Sequence, residues 1–86
     1  MKNSLSNQKS TELIYASKDA FLHILKGHLT FAIVKREMPV ERGDIVIIVE
    51  FINGLETSAR TPKKVREVYD TSLFNQKIKG HKFITF

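Results

Sequence analysis

The chain has 86 residues and no cysteine, so it is a single domain held together by burial alone, and disulfide scaffolds and thiolate metal sites are excluded. Its longest apolar run, residues 45–49, is far short of a bilayer-spanning segment, and the N-terminal MKNSLSNQKS has no signal-peptide apolar region, so a soluble cytoplasmic protein is expected. Fourteen Lys and Arg against nine Asp and Glu give a net charge of +5, which favours anionic partners over cationic ones.

Residues 1–10 are polar and without periodicity, and read as a disordered tail ahead of a domain over 11–86. ELIYA, residues 12–16, mixes branched, aromatic and small side chains over a short span and predicts a first strand. Ser17 then suits an N-cap and Asp19 the first turn, while Phe21, Ile24 and Leu25 fall at helical spacing, predicting a short helix over 18–26. Gly27 ends it, because glycine enters a left-handed conformation without steric cost. HLTFAIVKR, residues 28–36, predicts a strand with Leu29, Phe31 and Ile33 on one face and the smaller Thr30, Ala32 and Val34 on the other.

Pro39 breaks that pattern, and VERGDIVIIVEF follows. Gly43 gives the freedom a tight turn needs and Asp44 can bond nearby backbone, so the pair launches the most apolar strand. Ile45, Ile47, Val49 and Phe51 point one way, and Val46, Ile48 and Glu50 the other. A strand apolar on both faces is expected to be central, with barrel interior on one side and the helix on the other. Asn53-Gly54 predicts a type I' hairpin turn and a returning strand over 55–58. Thr61 and Pro62 are expected to interrupt before KKVREVY, residues 63–69, forms a half-exposed strand. A helical turn over 72–75 and a last strand, HKFITF after Gly80, complete the pattern.

Charge is not spread evenly along these elements. Residues 1–59 are balanced, with seven basic and seven acidic side chains, whereas residues 60–86 carry seven basic side chains against Glu67 and Asp70 alone. A one-sided excess suits an anionic partner, nucleic acid first, with an acidic protein or a phosphorylated metabolite behind it. The alternative is a solvated face that keeps the protein dispersed.

The order of FLHILKGHLTFAIVKRE, VERGDIVIIVEF, KKVREVY and GHKFITF resembles the activating signal cointegrator homology (ASCH) domains of the PUA-like superfamily, over about residues 12–86. The resemblance implies a mainly β fold with a short helix (α+β), a small, partly open β-barrel with a cleft beside the helix, and binding of RNA or modified nucleosides. Members often carry Phe-Glu-Ile-Arg in the strand after the helix, where this chain has Phe31, Ala32, Ile33 and Val34. A hydrolytic branch acting on acylated cytidine uses a lysine two positions, and a threonine five positions, after the helix-ending glycine. Here those positions hold Leu29 and Ala32.

Amide hydrolysis needs a nucleophile or activated water, a proton carrier and oxyanion donors, none of which leucine or alanine supplies. Thr30 is the nearest hydroxyl and reads as an ordinary strand threonine. His23, His28 and His81 are too scattered for a metal site, His23 and His28 lying five apart on different faces of a helix, and no cofactor is expected. For nucleic acid, Lys26, His28, Lys35, Arg36, Arg42, Lys63, Lys64 and Arg66 are the candidate phosphate contacts, if the fold brings them to one rim beside the cleft. Tyr69 and Phe74 are the stacking candidates, with burial as their alternative role, and Phe31, Phe51 and Phe83 are expected in the core. Gly27, Gly43 and Asp44 are expected to be structural. The expected function is non-catalytic binding of RNA or a nucleotide-like ligand. The alternatives are an amidohydrolase-like enzyme on modified nucleosides, with an altered site, and a module that docks an acidic protein.

Overall fold

Two three-stranded sheets and one helix make up residues 11–86, the part of the chain that the computed structural model describes; the expected tail over 1–10 lies outside it. In chain order the elements are β1 (Leu13–Ala16), α1 (Lys18–Leu25), β2 (Phe31–Lys35), β3 (Ile45–Ile52), β4 (Leu55–Lys64), β5 (Glu67–Asp70), a 3-10 turn (Thr71–Leu73) and β6 (His81–Thr85). The first sheet has the order β1-β3-β4, with β1 parallel and β4 antiparallel to the central β3. The second, β2-β6-β5, is antiparallel throughout. The described residues form a mainly β fold without a closed barrel.

Local chemistry sets the boundaries. The Ser17 hydroxyl accepts from the Ala20 N–H at the start of α1. At the other end Gly27 takes φ +79°, and the N–H groups of Gly27 and His28 return to the carbonyls of Ile24 and His23, a Schellman arrangement. Asn53 and Gly54 both have positive φ and join β3 to β4 by the expected tight turn.

Three expectations are corrected. First, β4 runs unbroken through Thr61 and Pro62 to Lys64, with Pro62 opposite Ile47. It is an edge strand, where a residue lacking an N–H can be accommodated. Second, KKVREVY is not one strand: Lys63 and Lys64 pair with β3, whereas Glu67 to Asp70 pair with β6. The chain changes sheets at Val65, a corner buried to 1% exposure.

Third, the core takes the small-residue faces. Ala32 and Val34 of β2 and Val46 and Ile48 of β3 point inward, packed with Ile14, Val65, Ile84 and the helix residues Phe21 and Ile24. Helix and interior therefore cover the same face of β3, not opposite ones. Phe31 is 42% and Phe51 37% exposed on outer faces, and Phe83 lies half-buried on the outer face that Phe31 shares. In a domain this small the gap between sheets and helix is filled by Val, Ile and Ala, and the rings are left outside. Val49 alone on the outer face of β3 is fully buried, between its register partner Tyr15 and Phe51, whose rings are 5.1 Å apart.

The link from β5 to β6 is fixed by one buried hydroxyl. Thr71 is 0% exposed, and its Oγ1 lies 3.1 Å from the Ile78 carbonyl and 3.0 Å from that of His81. Thr71→Val is expected to strand those acceptors and cost about 1–3 kcal/mol. A lower urea midpoint in Thr71→Val, restored toward the parent value in Thr71→Ser, is the check.

Candidate functional site

The turn ahead of β3 and the corner between the sheets are joined by two backbone hydrogen bonds. The Gly43 N–H donates to the Val65 carbonyl, and the Val65 N–H donates to the Asp44 carbonyl, both at 2.8 Å. Gly43 makes this approach at φ +92°, a conformation costly for any residue with a side chain. The Asp44 carboxylate accepts from the Glu41 N–H at 2.9 Å, and the Asp44 N–H donates to the Glu41 carbonyl, closing the turn. This clamp is why the most buried strand opens on Gly-Asp: it ties residue 43 to residue 65 and so gathers their neighbours.

Those neighbours are Arg42 on one side and Lys64 and Arg66 on the other. All three line a cleft of about 750 Å³, together with Thr30, Glu67 and Thr85. Arg42 Nε lies 3.6 Å from a Glu67 carboxylate oxygen, with the Arg42 side chain 76% exposed. An ion pair that long and that wet contributes little, so a phosphate can replace the carboxylate as its partner at low cost.

The remaining candidate cations are elsewhere. Lys63 is half-buried on the inner side of β4, opposite Val46. Lys35 and Arg36 stand at the far end of β2. Arg36 is held there by Asp70 at 2.7 Å. Lys26 and His28 flank the glycine that ends α1 and do not line the cleft. His23 and His28 are closer than helical spacing suggests: the turn at Gly27 brings their rings to 6.2 Å. Among the described residues no group of three or more His, Asp or Glu side chains is placed to hold a metal ion.

Hydrogen bonds from Ser72, first of all its backbone N–H, and the Arg36 guanidinium hold the Asp70 carboxyl below the usual carboxylate range. A depressed folded-state value means that its stabilisation is in place at neutral pH and is lost as pH falls through that value. Asp70→Asn is expected to remove this part of the acid-side loss of stability, and a carboxyl titration followed by NMR should place Asp70 below an ordinary aspartate.

Thr85 and Glu67 were not among the candidates. They enter the site because β5 and β6 pair Glu67 with Thr85 at the cleft, where the Glu67 N–H donates to Thr85 Oγ1 at 3.1 Å. Nothing in HKFITF read alone marks that threonine. Leu29 and Ala32 line a different pocket, about 330 Å³ between β1 and β2, with Ile14, Ile24 and Phe31. Its two hydroxyls are already engaged, Ser17 as the cap of α1 and Tyr15 as donor to Glu56 at 2.9 Å. The chain matches no protein-family model and no curated protein. No helix among the described residues is long and apolar enough to cross a membrane.

Proposed function

We propose that this chain is an ASCH-like domain, built as a partly open PUA-like barrel, that binds RNA or a nucleotide-like anion in the basic cleft without catalysing a reaction on it. One observation carries the reading: the Gly43–Val65 clamp brings Arg42, Lys64 and Arg66, distant in sequence, to a single concave site. Three exposed cations around a cleft suit phosphate oxygens, and the Thr30 and Thr85 hydroxyls in its lining add neutral donors of the kind that fix orientation. The element order of the resemblance supports the same reading. The hydrolase alternative has less to draw on, because the pocket holding Leu29 and Ala32 offers aliphatic walls where a lysine and a threonine would be needed.

Binding through phosphate should weaken steeply with salt, because each neutralised phosphate releases counterions. Fluorescence anisotropy of a labelled single-stranded RNA, measured at two salt concentrations, is expected to give that result. Tight binding that ignores salt, or no binding at low salt, would overturn the proposal.

A further inference from the structure

Beyond the cleft, a feature without a role is the outer face of the β2-β6-β5 sheet. Register places Ile33, Phe83 and Tyr69 in one row across the three strands, and Phe31, Thr85 and Glu67 in the next. Phe31 is 42% exposed, Tyr69 41% and Phe74 73%. Phe83 sits at the centre of the group: its ring is 5.8 Å from that of Phe31 and 4.8 Å from that of Phe74, both edge-on. Solvent-facing aromatics gathered around one ring on a single sheet face mark a binding surface.

Its two ends identify the occupant. At one end Thr85 and Glu67 belong both to the aromatic face and to the cleft with Arg42, Lys64 and Arg66. At the other, the row beyond Phe83 pairs exposed Lys35 with exposed His81. An apolar protein surface would match the rings and leave both basic ends unmatched. A strand that alternates phosphates with flat bases matches all three zones. From Thr85 to His81 is about 13 Å along β6, room for the two or three bases that aromatic sheet faces hold.

We infer that this face is a base-stacking platform continuous with the basic cleft, and that the ligand is a single-stranded nucleic acid several nucleotides long, not a mononucleotide. The inference rests on the anionic-ligand reading of the cleft and adds to it. Phosphates lie on the cleft cations, and bases leave the cleft past Thr85 to stack on Phe31, Phe83, Tyr69 and Phe74.

The test compares a labelled oligouridylate with an abasic ribose-phosphate oligomer of equal length, on the parent chain and on Tyr69→Ala/Phe74→Ala, with circular dichroism to confirm folding. The Phe74 ring is largely exposed and that of Tyr69 partly so, and Phe83→Leu, which keeps the apolar volume, is the second variant. The parent is expected to prefer the base-bearing oligomer, and the double variant to bind it about 5- to 100-fold more weakly with an unchanged salt dependence. Salt-dependent binding that ignores the bases, or is untouched by both variants, overturns the platform and leaves the cleft reading standing. No binding of either oligomer at low salt removes both. A dimer in sedimentation that Tyr69→Ala/Phe74→Ala converts to monomer assigns the face to a second copy of the chain and overturns the platform.

Discussion

Replacing Arg42, Lys64 and Arg66 together with alanine is expected to reduce RNA affinity by about a thousand-fold and to flatten its dependence on salt. Each charge-assisted contact contributes about 1.5 kcal/mol or more, roughly tenfold. Three lost contacts to a single strand should lower the slope of log affinity against log salt by about 2. Net charge alone would also weaken binding, so a control is needed that changes charge by the same amount elsewhere. Lys18, Lys26 and Lys77 are exposed and do not line the cleft, and their triple alanine variant should bind within a few-fold of the parent. Equal losses in the two variants would mean a diffuse field in place of a site, and the clamp at Gly43 would then have no bearing on binding. Gly43→Ala adds a third arm: it removes no charge, but it strains a backbone held at φ +92° in the turn that gathers the cations. It should weaken binding while leaving the net charge as it was.

The sequence carried the elements that depend on neighbours along the chain. Ser17, Gly27, Asn53 and Gly54 each act within a few residues of themselves, and each marks a boundary where the structure has one. What could not be read was which face of a strand turns inward. Ile45 to Val49 is apolar at every position, so period-two alternation has no contrast to work with. In FAIV the aromatic and branched residues suggested the buried face, yet Ala32 and Val34 are the pair that fits beneath helix and second sheet. The same ambiguity conceals the aromatic outer face of the second sheet, since the core expected to take Phe31 and Phe83 has no room for them. Arg42 was legible as a candidate, but its meeting with Lys64 and Arg66 was not, because it depends on a long-range bond pair between Gly43, Asp44 and Val65. The interruption expected at Pro62 failed for a related reason: whether proline breaks a strand depends on its being central or at an edge, and edge position is a property of the assembled sheet.

The choice of inner face is also the most consequential structural claim, and two isoleucines three residues apart on β3 decide it. Ile48 is 0% exposed, opposite Ile14 on one side and Thr61 on the other, within the cluster that includes Phe21 and Ile24. Ile45, on the outer face, is 48% exposed. Ile48→Ala removes the same atoms as Ile45→Ala but leaves a cavity that the surrounding strands and helix cannot collapse into, at a cost of about 2–5 kcal/mol. A chain of this length has roughly 4–13 kcal/mol of total stability, so the substitution consumes a large fraction of it. Ile45→Ala should cost under about 1 kcal/mol, as expected for a half-exposed site. Urea unfolding of both variants, at constant m-value, is the measurement. If Ile45 proved the more sensitive position, β3 would be turned over, Phe51 would enter the core, and the packing that leaves the rings of the second sheet outside would have to be rebuilt. Ile84→Ala on β6 should behave like Ile48→Ala, because Ile84 is likewise fully buried and occupies the inner face directly behind the aromatic row. A large loss there, beside normal folding of Tyr69→Ala, would establish that the inner face of the second sheet holds the fold together while Tyr69 on its outer face is dispensable for folding.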